Sequence, residues 1–205
     1  QNKEYFKEAY NNLGAAYVDK EMIDDAIAAY KKALEISPNF GEVYNNLGVA
    51  YTKKKAYDEA ISVFQKTMKL KTNHAGAHFN LGVIYSEKGM KSEALKEYNE
   101  VLRLTPDDLL ALYNRGVLYL ENGQLNDASA DMKKIIASNP KLAAPHQKLG
   151  DIYQKLGQSD DAIAEYKRAL EISPELKEAL HSIEDTYRRK EQQAKTKRPR
   201  EKNHR

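Results

Sequence analysis

The stretch Leu13–Pro38, LGAAYVDKEMIDDAIAAYKKALEISP, decides the fold. Leu13 and Tyr17 stand four residues apart, on one face of a helix, and Gly14 beside Leu13 lets a neighbouring helix come close. Ala26, Tyr30 and Ala33 step by four and three and make a second apolar stripe with a small-large-small profile. A short polar turn around Glu21 separates the stripes. At the end, Ile36-Ser37-Pro38 stops the second helix, because proline disfavours helix in the residue before it and is suited to open the next one. The unit reads helix A, turn, helix B, stop.

Working outward, the same unit returns every 34 residues. Tyr17, Tyr51, Tyr85, Tyr119, Tyr153 and Tyr187 share one register, Gly14, Gly48, Gly82, Gly116 and Gly150 a second, and Ala26, Ala60, Ala94, Ala128 and Ala162 a third. Proline recurs at 38, 106, 140 and 174, with Thr72 where a further one would fall. Several registers with one period make a tandem repeat. The A–B turns carry Gly89, Gly123 and Gly157, residues suited to a left-handed helix end. In the first two units Glu21 and Lys55 take that place, at some conformational cost. Two positions depart from the pattern. Arg115 replaces the leucine of the fourth unit, so its guanidinium is expected to pair with an acid or a carbonyl or to snorkel outward. Thr72-Asn73-His74 replaces the proline turn after the second unit.

The pattern Leu-Gly-x-x-Tyr, Ala-x-x-x-Tyr/Phe-x-x-Ala, Pro at this period resembles the tetratricopeptide repeat (TPR) family. That resemblance implies an all-α fold, a right-handed α-solenoid of five helix-turn-helix units plus a C-terminal capping helix. The units fall at 7–40, 41–74, 75–108, 109–142 and 143–176, with the cap at 177–192 carrying Leu180, Ile183 and Tyr187 in register; together they make a 1–192 array. Residues 193–205 lose the period and read as a flexible basic tail.

Composition narrows the function classes. Of 205 residues 41% are hydrophobic and 31% charged, an ordinary globular balance, and no apolar run reaches the roughly 18 residues of a membrane span. There are no cysteines, which excludes disulfides and thiolate chemistry. The N-terminus lacks a signal-peptide layout, which with the absent cysteines points to a cytoplasmic protein, by extension one peripheral to a membrane. A start at Gln1 is compatible with a mature form or an excised fragment. The net charge of +3 divides into about +7 over 188–205 and about −4 over the rest.

The family resemblance implies that helices A line a concave groove. The residue before each Leu-Gly is then Asn12, Asn46, Asn80, Asn114 and Lys148, a ladder of amides suited to bidentate bonds with an extended peptide backbone. It is similar to the asparagine ladder of O-linked N-acetylglucosamine transferase TPR arrays. The competing reading is that these amides bond neighbouring backbone or water. One residue earlier stand Asn45, Phe79 and Tyr113, the last two a candidate hydrophobic anchor. No three consecutive units supply the Lys/Asn/Arg set of a carboxylate clamp. His78 and His146 occupy equivalent positions and read as packing residues. No metal motif, phosphate loop or nucleophile elbow is present, so the chain reads as a non-enzyme without metal, cofactor or small-molecule substrate.

The expected function is therefore a scaffold that binds a protein or peptide partner, as an extended peptide or a helix, in the concave groove. A variant is a homo-oligomer in which the N-terminal segment with Tyr5 and Phe6 docks into a neighbour's groove, in the manner of bacterial TPR scaffolds of the magnetosome-associated type. The alternatives are an adaptor that meets nucleic acid or an anionic membrane through Lys195, Lys197, Arg198 and Arg200, and the non-catalytic portion of a larger enzyme.

Overall fold

The computed structural model describes residues 2–70 and 74–197. Those residues form eleven helices and no strand: α1 (Asn2–Asp19), α2 (Ile23–Ile36), α3 (Gly41–Lys53), α4 (Tyr57–Lys69), α5 (His74–Glu87), α6 (Lys91–Leu104), α7 (Leu109–Glu121), α8 (Leu125–Ser138), α9 (Ala143–Lys155), α10 (Ser159–Ile172) and α11 (Lys177–Lys197). The chain divides into two compact units, Gln1–Ala111 and Leu112–Arg205. In the first, α1 to α6 pack each on the next; in the second, α8 to α11 do the same and α7 meets α8. Odd-numbered helices are helices A and even-numbered ones helices B. Helix α1 starts five residues ahead of the first repeat unit, and α11 continues five residues past 192.

The A–B turns share one geometry. The carbonyl of the register tyrosine accepts the N–H five residues on, from Met22, Ala56, Met90, Gln124 and Gln158, at 2.8–2.9 Å. That closure forces the preceding residue into the left-handed region: φ is 60° at Glu21, 61° at Lys55, 72° at Gly89, and 76° at Gly123 and Gly157. A Cβ at any of the three glycines would meet nothing within 4 Å, so only backbone strain separates the first two turns from the others. Glu21→Gly and Lys55→Gly are each expected to raise stability by about 0.5–1 kcal/mol, or roughly 2–3 °C in Tm for a chain of this size. A thermal melt that falls for both would contradict this account.

The helices B begin with Asp24-Asp25, Asp58-Glu59 and Asp160-Asp161, and none of these helices has a side-chain cap. The acids act on the helix through its dipole. The stops work as read: Ser37, Thr105, Asn139 and Ser173 end α2, α6, α8 and α10, each donating its N–H back into the last turn, and a proline follows. The junction at 71–73 lies outside the described residues.

Burial follows the register. Helix α2 and α3 share a core of Ala26, Ile27, Tyr30, Ala33, Val43, Leu47 and Ala50; Ala60, Phe64, Ala77, Leu81 and Ile84 do the same for α4 and α5, and Ala162, Tyr166, Ala169 and Ala179 for α10 and α11. Helices α3, α5 and α9 thus each pack on two helices B, their own and the preceding one. On the outside Lys54–Asp24 (2.6 Å) and Lys88–Asp58 (2.7 Å) repeat at 30-residue spacing, and Lys190 pairs with Asp160 in the same way. Such exposed pairs each contribute under about 1 kcal/mol.

Candidate functional site

The helix-A faces carry the expected ladder, but its members differ in what they do. In the first unit Asn11 is buried, because the next helix A covers it; its Nδ2 donates to Glu42 Oε1 (3.0 Å), and its Oδ1 accepts from Asn46 Nδ2 (3.0 Å). Asn46 is therefore tied into a three-residue side-chain bridge from α1 to α3. Asn12 is exposed, and neither it nor the half-buried Asn80 bonds another described residue. Phe79 is half-buried rather than free, its ring edge-on to Tyr98 with centroids 5.9 Å apart.

Asn45 is the anomaly. Its Oδ1 is buried with no donor. The equivalent residues are Asn11, which bonds Glu42, and Gln147, whose Nε2 donates to Glu178 Oε2 (3.1 Å). Glu42 and Glu178 hold equivalent positions on the following helix A, and the corresponding residue facing Asn45 is Gly76, which has no side chain. Two amide–acid bridges between successive helices A thus have a third counterpart without its acid, a loss that takes an acceptor away from its Nδ2. The Oδ1 that in Asn11 accepts from the next ladder asparagine has no such donor in Asn45. Sequence reading passed over the acids, although Glu42 and Glu178 stand 136 residues apart, four periods, as do Asn11 and Gln147.

In the compact unit Leu112–Arg205, Tyr113 and Asn114 are half-buried, and neither bonds another described residue. Lys148 Nζ donates to Asp151 Oδ2 (3.2 Å), and the other oxygen of Asp151 accepts from Tyr166 (2.9 Å). Burial, then the charge of Asp151, pushes the Tyr166 phenol well above its usual range. The positive charge expected at Lys148 is thus largely neutralised on site. Arg115 finds an acid as expected: Nε and Nη2 donate to the two carboxylate oxygens of Asp131 on α8, at 2.9 and 2.6 Å, and these bonds hold the guanidinium charged. The same α8 position carries Glu97 and Glu165 in the third and fifth units, where each carboxylate lies 2.6 Å from His78 or His146 Nδ1. Both histidines are packing residues with a polar tie; His146 also lies 3.3 Å from the Pro140 carbonyl, which Tyr44 copies with Pro38 at 3.1 Å.

Of the basic residues, Lys195 is exposed on α11 and Lys197 is its last residue; Arg198 and Arg200 lie outside the described residues. Among the described residues no group of His, Cys, Asp and Glu could hold a metal, and no helix is long and apolar enough to cross a membrane.

Stacked helix pairs on one strict register, with amides on the helix-A faces, define a tandem-repeat protein of the scaffold-forming kind. The chain belongs to the tetratricopeptide-repeat family. Models described as TPR repeat match residues 14–55, and models described as tetratricopeptide repeat match 39–107, 97–128 and 143–176. The stretch 129–142 between the last two holds Ser129 and Met132, where the other units have Ile or Leu and Tyr or Phe. No curated protein matches in sequence. Among solved structures, MamA protein is similar at 28% identity over 82% of this chain and 92% of its own, with a TM-score of 0.74. A MamA structure from Desulfovibrio magneticus RS-1 gives 23% over 83% and 96%, with 0.75. YrrB, described as a TPR protein with an unusual peptide-binding site, gives 23% over 84% and 89%, with 0.72. The fold class is the all-α TPR solenoid.

Proposed function

We propose that the chain is a protein-interaction scaffold that holds an extended peptide on the helix-A face of the compact unit Gln1–Ala111, across Asn12, Asn45, Asn46 and Asn80, with Phe79 as the apolar contact. The observation that carries this reading is the donor-less Oδ1 of Asn45. A buried amide oxygen without a donor costs about 1–3 kcal/mol, and a peptide N–H donated to it offsets that cost. Asn80 next to it keeps a donor pair and an acceptor uncommitted, which is the bidentate match to a peptide unit. Tyr113, Asn114 and Lys148 form a second such face on the other unit, made less cationic by Asp151.

The test is a pull-down from a lysate followed by mass spectrometry, then calorimetry with the peptides recovered. Asn45→Ala/Asn80→Ala is expected to weaken binding about tenfold or more, two hydrogen bonds being worth roughly 1–3 kcal/mol together. Equal recovery of partners by the double variant, with its helical circular dichroism intact, sinks the proposal.

A further inference from the structure

Within the compact unit Leu112–Arg205 a cavity of about 460 Å³ opens between α8, α9 and α10. That volume is in the range of small-ligand sites. Three periods earlier, at α2, α3 and α4, the same place is filled: Ile27 is buried there, and Lys54 reaches across to Asp24 at 2.6 Å. At the cavity Ser129 stands in place of Ile27, Asn126 in place of Asp24 and Leu156 in place of Lys54. The smaller side chain vacates volume, and the ion pair that bridges the rim is gone. One feature is retained. Lys133 Nζ lies 5.5 Å from the centre of the Tyr153 ring, as Lys31 Nζ lies 5.8 Å from that of Tyr51, and the ring holds the ammonium at the cavity.

The lining joins an apolar wall to polar groups that are not in use. Tyr153, Ala130 and the exposed Leu156 make the wall. The side chains of Asn126, Ser129, Gln158 and Asp161 line the same space, and none of them bonds another described residue. Ser129 is buried, so its hydroxyl has little water to turn to. Lys133 on α8 and Asp161 on α10 bring opposite charges to the cavity from two different helices, yet they do not close on each other as an ion pair.

We propose that this cavity binds a small zwitterion, a free amino acid or a dipeptide with an apolar side chain. Its carboxylate pairs with Lys133, its ammonium with Asp161, and its side chain lies against Leu156 and Tyr153. Ser129 and the two amides supply hydrogen bonds between the charges. A lone anion meets repulsion from Asp161 and a lone cation from Lys133, so the pair of opposite charges is the recognition element. The ligand has few atoms and the site is open, which sets an affinity of roughly 0.1–1 mM.

Titration with L-leucine and with L-leucyl-glycine, followed by amide NMR, tests this. At least one of them is expected to shift the amides of Ala130, Tyr153 and Gln158 saturably, and which one does so separates the free amino acid from the dipeptide. Isopentylamine and isocaproate each carry one of the two charges and are expected to bind at least about tenfold more weakly. Ser129→Ile installs the side chain of the first unit and is expected to abolish the shifts while Tm holds or rises. Asn126→Asp/Leu156→Lys rebuilds the ion pair across the rim and is expected to weaken binding about tenfold, from exposed positions that do not endanger folding. Lys133→Met and Asp161→Asn are each expected to cost about tenfold. The proposal is overturned if neither zwitterion shifts these amides at about 10 mM. It is equally overturned if a singly charged analogue binds as tightly, or if the filled or the bridged variant, helical by circular dichroism, binds like wild type. Asn45→Ala/Asn80→Ala is expected to bind the zwitterion like wild type, which separates this cavity from the peptide face.

Discussion

Asp131→Ala is expected to cost about 3–5 kcal/mol, read as a fall in the denaturation midpoint followed by circular dichroism. Asp131 is 4% exposed and sits under the Arg115 guanidinium with two short, parallel hydrogen bonds. Removing the carboxylate strips a largely buried cation of its counter-charge, and the desolvation already incurred is no longer compensated. The side chain of Arg115 keeps 21% exposure and its guanidinium lies 5.6 Å from the Tyr119 ring, so partial escape to water places the effect nearer the lower figure. Removing both charges should behave differently. Arg115→Leu/Asp131→Val installs residues found at the same positions in other units, Leu47 and Val63, and is expected to equal or exceed wild-type stability. A loss under 1 kcal/mol for Asp131→Ala would mean that the pair contributes little to the fourth unit.

The same substitution in one register should have two outcomes. In Gly48→Ala the added Cβ lies 2.6 Å from Cε1 and Cζ of Phe64, a ring with no exposed surface and no room to turn. Overpacking of this kind costs about 1–3 kcal/mol, and the better helix propensity of alanine returns up to about 1 kcal/mol. A net loss near 2 kcal/mol is expected. In Gly116→Ala the nearest atom is Met132 Cε at 2.5 Å, the end of a flexible side chain, with Asp131 Cβ next at 3.2 Å. Methionine can swing away at small cost, so the change is expected within about 1 kcal/mol of neutral. Equal losses in the two variants would show that the second residue of the pair does not decide the effect.

The fold was legible because each unit repeats the same local demands. Gly48 opposite Phe64, the left-handed turn at Lys55 and the proline at 174 are each set by contacts within one or two successive units. Much of the site was not legible. The ladder at Asn12, Asn46, Asn80 and Asn114 is one register in the sequence, yet only Asn46 is drawn into a bridge, because a buried Asn11 lies beside it. Asn45 and Gln147 look alike along the chain; what separates them is a residue 31 positions further on, glycine in one case and glutamate in the other. Arg115 advertised its need for an acid, but the choice of Asp131 from the acids nearby required the approach of α8 to α7.

By itself the sequence determined the period, the helix-turn-helix unit, the placement of strained turns and the membership of a repeat family, because spacing on a helix and the chemistry of glycine and proline act over a few residues. Only the tertiary structure decided which amides are spent on the chain's own bridges and which buried oxygen is left without a donor. Those outcomes depend on whether a neighbouring helix is present to bury or bond a given side chain, and the residue's own register carries no record of that.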